Sequence, residues 1–418
     1  MPRASGGTEH HFCVRSSLLI EEVATGCSGV ATIYGAHALG ANPLLFGGPI
    51  FWDGVLRELA TSEREGDPQI MAFAITEPSA GTDVEHHELI RSAQLMTQAT
   101  QVDGGFLLSG TKHFISNGSV ARWVTVMMPV DPKHPDDSMT GFLVDARSDG
   151  FKVGHVEHKM GQRACPAAEL IFDEVFVPDE CVIGKVGDGM VLTIGVLAGS
   201  RPVVGAIATG IARGAYERLL EWLQTDPAGA ELLERQQVQL ALAQMEEQIH
   251  LSRQAYLDAA SEFDMVSIGA IQALPSVRAL GAMPRVARTN PISRRVIGSD
   301  LSRGAVMQIM ARKVGDGQLA RSLALSSLAK ARGADTAMFV TGLALEIAGL
   351  DCGALRPELE KLLRDAKLTQ IYEGTNQLNR LEVFDALVTE SSMHVMQHAL
   401  DTSAERRKSE TSSQETVA

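Results

Sequence analysis

The chain has 418 residues, 45% of them hydrophobic and 21% charged, the balance of a globular protein long enough for two or three domains. A chain of this length buries about three quarters of its unfolded surface, so its core needs neither metal nor disulfide. A net charge of −14 excludes a general nucleic-acid binder, and no apolar run is expected to reach the ~18 residues of a membrane span.

The five cysteines, Cys13, Cys27, Cys165, Cys181 and Cys352, form no C-x-x-C pair. Their odd count and scatter predict reduced thiols in a reducing compartment, cytoplasmic or the mitochondrial matrix. The N-terminal stretch lacks the apolar core of a secretory signal.

In chain order, residues 14–40 predict a helix, and "FWDGVLRELATSE" a second, short one. From Ala72 the texture becomes glycine-rich with β-type runs. "VDGGFLLSGTKHFISNG" predicts a hairpin; "TGFLVDA", "GFKVGHVEH" and "AELIFDEVFVP" predict strands, the last stopped by Pro178. After Gly187 the pattern is helical: a long apolar run from Gly189, expected to kink or restart at Pro202, then a helix from Glu231 to Phe263, another over 320–349 and a charged one through "PELEKLLRDAKL". The predicted organisation is a helical part over 1–71, a β part over 72–186, a helical part over 187–400 with an insert at 271–317, and a disordered tail over 401–418. Helices and strands in separate runs predict an α+β fold. The insert carries Arg278, Arg285, Arg288, Arg294, Arg295, Arg303, Arg312 and Lys313 against Asp300 and Asp316.

Common catalytic loops are absent: there is no G-x-x-x-x-G-K-[ST], H-E-x-x-H or G-x-S-x-G. Glu85, His86, His87 and Glu88 are adjacent, which puts neighbours on different faces, and they read as a solvated surface before a metal site. Cys165 reads as an apolar filler before a nucleophile. Two stretches carry more. "FAITEPSAGTD", Phe73 to Asp83, is a turn whose backbone N–H groups could approach a phosphate or a ring cofactor, or a plain loop. In "IYEGTNQ", Glu373 precedes a glycine that lets a ligand approach; desolvated, it would suit a general base. The alternative is a helix ending at Gly374 with an exposed acid.

Taken together with "LLSGTKHFISNG", "MGQRACPAAELIFDEVFVPDECVIG", "SRPVVGAIATGIARGAYE" and "LEKLLRDAKLTQIYEGTNQLNR", these stretches resemble, in order, the acyl-CoA dehydrogenase family over about residues 16 to 390. The resemblance implies a helical N-terminal domain, here shortened, a middle β-barrel or sandwich and a C-terminal helical bundle. It implies FAD as cofactor and the α,β-desaturation of an acyl-CoA to the 2-enoyl-CoA, in fatty-acid or carboxylic-acid degradation. Glu373 falls at the position of the α-proton base, with β-hydride transfer to flavin N5. Ser200 falls where some relatives carry the base instead. Phe73, Ile75, Thr76, Gly81, Thr82, Phe114, Ile115, Ser116, Thr375, Asn376 and Gln377 match cofactor-binding positions. Thr82, Ser200, Arg201 and Gly374 match positions on the substrate side, and no metal is implied.

Two departures fall on contacts that the family makes to the FAD of a neighbouring subunit. "TDPAG", Thr225 to Gly229, stands where the family has R-x-x-F-G, and "EIAGL", Glu346 to Leu350, where it has Q-x-x-G-G. These departures leave open a homo-oligomer, a hetero-oligomer with a paralogous subunit, and a non-catalytic subunit of such an assembly. A flavin-dependent oxidase or monooxygenase on the same fold is the alternative chemistry. Electron-transferring flavoprotein is the implied acceptor. The insert is expected to pack on its own subunit or at a subunit interface, the alternative being peripheral contact with an anionic membrane.

Overall fold

The computed structural model describes residues 12–47, 51, 54–86, 88–266, 318–350 and 352–388. The basic insert, His87 and the tail lie outside the described residues. Helix α1 (Phe12–Phe46) and helix α2 (Val55–Glu65) come first. Cys27, at φ −153 and ψ 103, interrupts the helical geometry of α1. α2 is amphipathic, burying Leu56 and Leu59, and stops at Gly66 in the left-handed conformation.

The β part has two four-stranded sheets. One is ordered β1 (Ile70–Ala74), β4 (Ala121–Pro129), β5 (Met139–Asp145) and β8 (Val182–Ile183), with β1 parallel to β4 and the other pairs antiparallel. The second is antiparallel, ordered β2 (Gln98–Val102), β3 (Gly105–Ser116), β7 (Ala167–Pro178) and β6 (Phe151–Val156). The predicted hairpin is β2–β3, turning at Asp103 and Gly104, and β7 ends at Pro178 as expected. Val124, Val126, Phe142 and Val144 of the first sheet share one apolar core with Phe106, Leu108, Phe172 and Val175 of the second. That makes the middle region a β-sandwich. A one-turn helix, α3 (Pro135–Ser138), lies between β4 and β5.

Helices α4 (Gly189–Thr225), α5 (Pro227–Leu233), α6 (Gln236–Val266), α7 (Gln318–Ala348), α8 (Leu355–Thr369) and α9 (Asn376–Val388) follow. α4 is the axis of this part. It is long and apolar enough to cross a membrane, which corrects the expectation from hydropathy, and 89% of its most apolar window is buried within the protein. It packs on α1 at Gly210 and Gly214, where an added Cβ would meet Glu21 O at 2.3 Å and Thr25 O at 2.6 Å. Glycine at these two positions is what allows the backbones to touch.

The expected restart at Pro202 does not occur: helix α4 is continuous through it. Proline removes the N–H that would bond the carbonyl four residues back. That carbonyl, Ala198 O, instead accepts from Ser326 Oγ of α7 at 2.7 Å. The neighbouring helix thus supplies the missing donor. A second correction concerns Glu231–Phe263, which is two helices. "TDPAG" begins the first of them: Asp226 caps α5, accepting from Ala228 N at 2.9 Å, with Pro227 in its first turn.

Candidate active site

A cavity of about 500 Å³ opens between α1, the sandwich and α4. The loop after β1, the end of β3, the middle of α4 and the turn between α8 and α9 converge on it. Residues far apart in sequence thus share one wall: Phe73, Ile75, Thr76, Gly81 and Thr82; Phe114, Ile115 and Ser116; Ser200; and Glu373. Thr375, Asn376, Gln377, Gly374 and Arg201 do not line it.

The loop after β1 is rigid for a physical reason. Glu77 is buried beneath it and accepts from Lys112 Nζ at 2.8 Å, Met96 N at 2.6 Å and Thr97 N at 3.2 Å, and from the Thr97 hydroxyl. Lys112 also donates to Ile75 O at 2.9 Å. Burial alone would raise the Glu77 pKa, but the Lys112 ammonium and these donors hold it below the usual carboxylate range. The Thr76 hydroxyl donates to His113 O, stitching the loop to β3. At the end of β3, Asn117 Nδ2 donates to Ile33 O of α1 at 2.9 Å. Phe114, at φ 59, stacks on His113, is 61% exposed and lines the cavity.

α8 ends at Thr369 and the chain turns through Tyr372, Glu373 and Gly374. Glu373 and Gly374 both take left-handed backbone, at φ 56 and φ 78. A non-glycine residue there is strained, and such strain concentrates at functional positions. The turn aims the Glu373 carboxylate into the cavity, where Ser200 Oγ donates to its Oε2 at 2.5 Å. Desolvation raises the Glu373 pKa, and the Ser200 hydroxyl, Arg201 and Lys330 partly oppose the rise. The exposed-acid alternative is therefore set aside by the geometry.

Behind the turn lies a buried ionic cluster. Arg201, fully buried, donates from Nε to Glu373 O at 3.2 Å and from Nη1 to Ser327 Oγ at 2.9 Å, and pairs with Glu382. Lys330, also fully buried, donates to Gly374 O at 2.5 Å and to Asn376 Oδ1 at 3.1 Å. Burial pulls its pKa down to about 7. Asn376 Nδ2 further bonds Asp335 at 2.8 Å, and Thr375 Oγ1 accepts from Leu378 N at 3.3 Å at the start of α9. Arg201 and Asn376 thus hold the Glu373 turn from behind. Gln377 is exposed.

A second network fixes Tyr372. Asp365 of α8 accepts from Ser28 Oγ of α1 at 2.7 Å, Gln162 N at 2.5 Å and Lys361 Nζ at 2.6 Å. Gln162 Nε2 in turn donates to Tyr372 Oη at 3.3 Å. One carboxylate thereby ties α1, the β part and the helix that leads into the Glu373 turn.

The surface reading of Glu85 and His86 is corrected. The 3-10 turn Thr82–Glu85 folds inward: Glu85 lines the cavity, and His86 is buried with its Nε2 3.5 Å from Asp385. Among the described residues no group of His, Cys, Asp and Glu side chains is arranged to hold a metal. Cys165 is buried and burial raises its pKa, which makes it an unreactive thiol.

The lining suits a flavin. A ring system needs apolar faces and a polar edge; Phe114, Ile75, Ile115 and Leu39 offer the first, and the hydroxyls of Thr76, Thr82 and Ser116 the second. A Cβ at Gly81 would meet nothing within 4 Å, so the loop leaves open space there. The α1 residues of the wall, such as Ile20, Thr32 and Asn42, were not singled out from the sequence. They belong to no local motif, and only the packing of α1 against α4 brings them to the cavity.

The comparisons with known proteins agree with this architecture. The family description "Acyl-CoA dehydrogenase, middle domain" matches residues 72–175, and "Acyl-CoA dehydrogenase, C-terminal domain" matches 187–273 and 289–388. The cyclohex-1-ene-1-carbonyl-CoA dehydrogenase of Syntrophus aciditrophicus is 30% identical over 366 residues, covering 87% of this chain and 73% of the relative. The cyclohexane-1-carbonyl-CoA dehydrogenase of Geobacter metallireducens is 28% identical, covering 94% of this chain and 86% of the relative. The butyryl-CoA dehydrogenase structure from Megasphaera elsdenii superposes with a TM-score of 0.68 at 28% identity, covering 89% and 81% of the two chains. The chain belongs to the acyl-CoA dehydrogenase family, whose members are oxidoreductases acting on CH–CH bonds.

Proposed function

We propose that this protein is an FAD-dependent acyl-CoA dehydrogenase that desaturates the α,β-bond of its substrate, with Glu373 as the α-proton base. The observation that carries the reading is the Glu373 carboxylate, held in a left-handed turn and turned into the cavity against Ser200. Phe73, Ile75, Thr76, Gly81, Thr82, Phe114, Ile115 and Ser116 would hold the flavin. When bound, FAD supplies the acceptor for the β-hydride.

The chain's own residues do the proton chemistry. Desolvation raises the affinity of Glu373 for a proton, which suits removal of a weakly acidic α-proton near neutral pH. Ser200 and the buried Arg201 fix the carboxylate and its backbone, so little reorganisation is needed when the proton moves. Thr82, at the cavity wall, would border the thioester side. Ser200 carries no carboxylate, so of the two positions at which the family carries the base, Glu373 alone holds one. The names of the relatives support alicyclic and short straight-chain acyl-CoA thioesters as the first substrates to try, with electron-transferring flavoprotein as acceptor.

The test is the visible spectrum of the purified protein, followed by anaerobic titration with cyclohexane-carbonyl-CoA, cyclohexene-carbonyl-CoA and butyryl-CoA. A flavin band that bleaches with one of them supports the reading and identifies the acyl class. A flavin that stays oxidised with all acyl-CoAs, or turnover that consumes oxygen with no other acceptor, overturns it.

A further inference from the structure

Glu85 is the anomaly of the site. It is a carboxylate in the cavity wall, 10% exposed, at the end of a 3-10 turn. Its Oε2 is buried without a hydrogen-bond partner among the described residues. The cation nearest it is Arg201, whose Nη2 is 3.9 Å away and equally without a hydrogen bond. The same oxygen lies against the base turn: a Cβ on Gly374 would meet it at 3.1 Å.

The charges around it decide its state. Glu373 faces it from the turn after α8, Glu382 from α9, Arg201 from α4 and Lys330 from α7. Three carboxylates therefore share two cations, and burial weakens the hold of one of these, Lys330, on its own proton. His86 pairs with Asp385, and Asp335, paired with Arg380, also faces Lys330, which adds negative charge to the cluster. A buried carboxylate with no hydrogen bond and only a distant cation is costly to keep charged and takes up a proton instead. Glu382 is paired with Arg201 and accepts from Ser327 Oγ at 2.7 Å, and Glu373 accepts from Ser200 Oγ at 2.5 Å. Glu85 accepts no hydrogen bond among the described residues, and its one ion-pair contact there is the long one to Arg201 Nη2, at 3.9 Å.

We propose that Glu85 holds the surplus proton of this cluster, as a neutral carboxyl that acts as a positioning residue for Glu373. This rests on the reading of Glu373 as the base. While Glu85 is neutral, Glu373 is the one charged acid on that wall, and Arg201 remains committed to Glu382 and to the backbone of the base turn. Once Glu85 ionises, its charge pushes the proton affinity of Glu373 up and sets a second negative charge beside the place where the thioester would become electron-rich. Burial, the dominant cause, pushes the Glu85 pKa up to about 8, against the pull of Arg201.

The first experiment needs no substrate. Infrared difference spectra of the flavin-loaded protein, recorded across a pH titration, should show a protonated-carboxyl band at neutral pH that fades near pH 8 and is missing from E85Q. In E382Q, where Arg201 is released to Glu85, the band should fade at lower pH; this variant covers the case in which E85Q does not fold. Thermal melting gives an independent reading. A carboxyl with a raised folded-state pKa binds more protons folded than unfolded, so the contribution of Glu85 to wild-type stability should be lost as pH rises from about 4.5 to about 8. E85Q should lose part of that fall, so the melting-temperature gap between variant and wild type widens with pH. With a bleaching substrate in hand, the reaction rate should decline above pH 8 in the wild type, several-fold more than in E85Q. A neutral-pH band that survives in E85Q, with melting profiles that stay parallel, overturns the proposal, whether or not any acyl-CoA bleaches the flavin.

Discussion

Ser200 and Glu373 are 173 positions apart and share one hydrogen bond: Ser200 Oγ donates to Glu373 Oε2 at 2.5 Å. The bond favours the ionised carboxylate and opposes the rise caused by burial. Ser200→Ala should therefore make Glu373 more reluctant to ionise. A hydrogen bond to a charged group contributes about 1.5–3 kcal/mol, which corresponds to about one to two pH units. The ascending limb of the pH–rate profile should move to higher pH by that amount, with the plateau rate less affected. A limb that does not move would mean that Ser200 bonds elsewhere once the substrate is bound.

Glu373→Gln keeps the volume and the turn but removes the base. A positioned general base contributes about 10²–10⁴-fold, so the rate of flavin bleaching should fall at least that far. Acyl-CoA binding, followed as a perturbation of the flavin spectrum, should persist. Loss of binding together with loss of rate would assign Glu373 to the architecture of the site rather than to proton transfer.

The Glu77–Lys112 pair supports the cavity loop from beneath. Lys112→Met leaves Glu77 buried and unpaired, and breaking such a pair costs about 3–5 kcal/mol. The folded-state pKa of Glu77 is depressed, so the wild-type pair stabilises above the unfolded carboxylate pKa, and that stability is lost as pH falls through the folded value. The variant should melt at lower temperature at neutral pH, and its deficit should shrink in acid. Flavin content per chain should fall with it, because the loop 73–82 forms one cavity wall.

What was legible in the sequence follows from the range of the interactions. The hairpin at Asp103–Gly104 and the strand ending at Pro178 are set by neighbours in the chain, so local pattern found them. The cavity loop and Glu373 were found as motifs in a fixed order. Pro202 misled because its orphaned carbonyl is satisfied by Ser326, on a helix more than a hundred residues away. Glu85 misled because "EHHE" looks solvated, whereas the 3-10 turn folds it against Arg201. No local pattern marks Lys330 or Glu382 as partners of the Glu373 turn; their roles exist only once α7 and α9 pack on α4.

Asp365 joins three parts of the chain through Ser28, Gln162 and Lys361. Asp365→Ala strands the Gln162 N–H and the Ser28 hydroxyl, and each unsatisfied buried group costs about 1–3 kcal/mol. The variant should lose roughly 3 kcal/mol or more of stability by denaturant melting. Gln162 also donates to Tyr372, next to the base. The surviving folded fraction should therefore turn over more slowly, with a smaller change in KM than in kcat. A purely structural role would lower only the amount of folded protein.

Gly374 tests the turn itself. Its φ of 78 is strained for any side chain, and a Cβ would lie 3.0 Å from Leu378 Cδ2 and 3.1 Å from Asn379 Nδ2 and Glu85 Oε2. Left-handed backbone costs an alanine about 1–2 kcal/mol, and three neighbours would also have to yield. Glu373 already bears the same kind of strain at φ 56, so the turn has little left to give. Gly374→Ala should then relax by rotating the turn, which moves the carboxylate away from Ser200. The expected result is a rate loss larger than the loss of stability alone would produce, with flavin still bound, because the cavity loop and β3 are untouched. Replacing Glu373 by glycine at the same time should restore the melting temperature and leave the rate at its floor, which separates the strain of the turn from the chemistry of the acid.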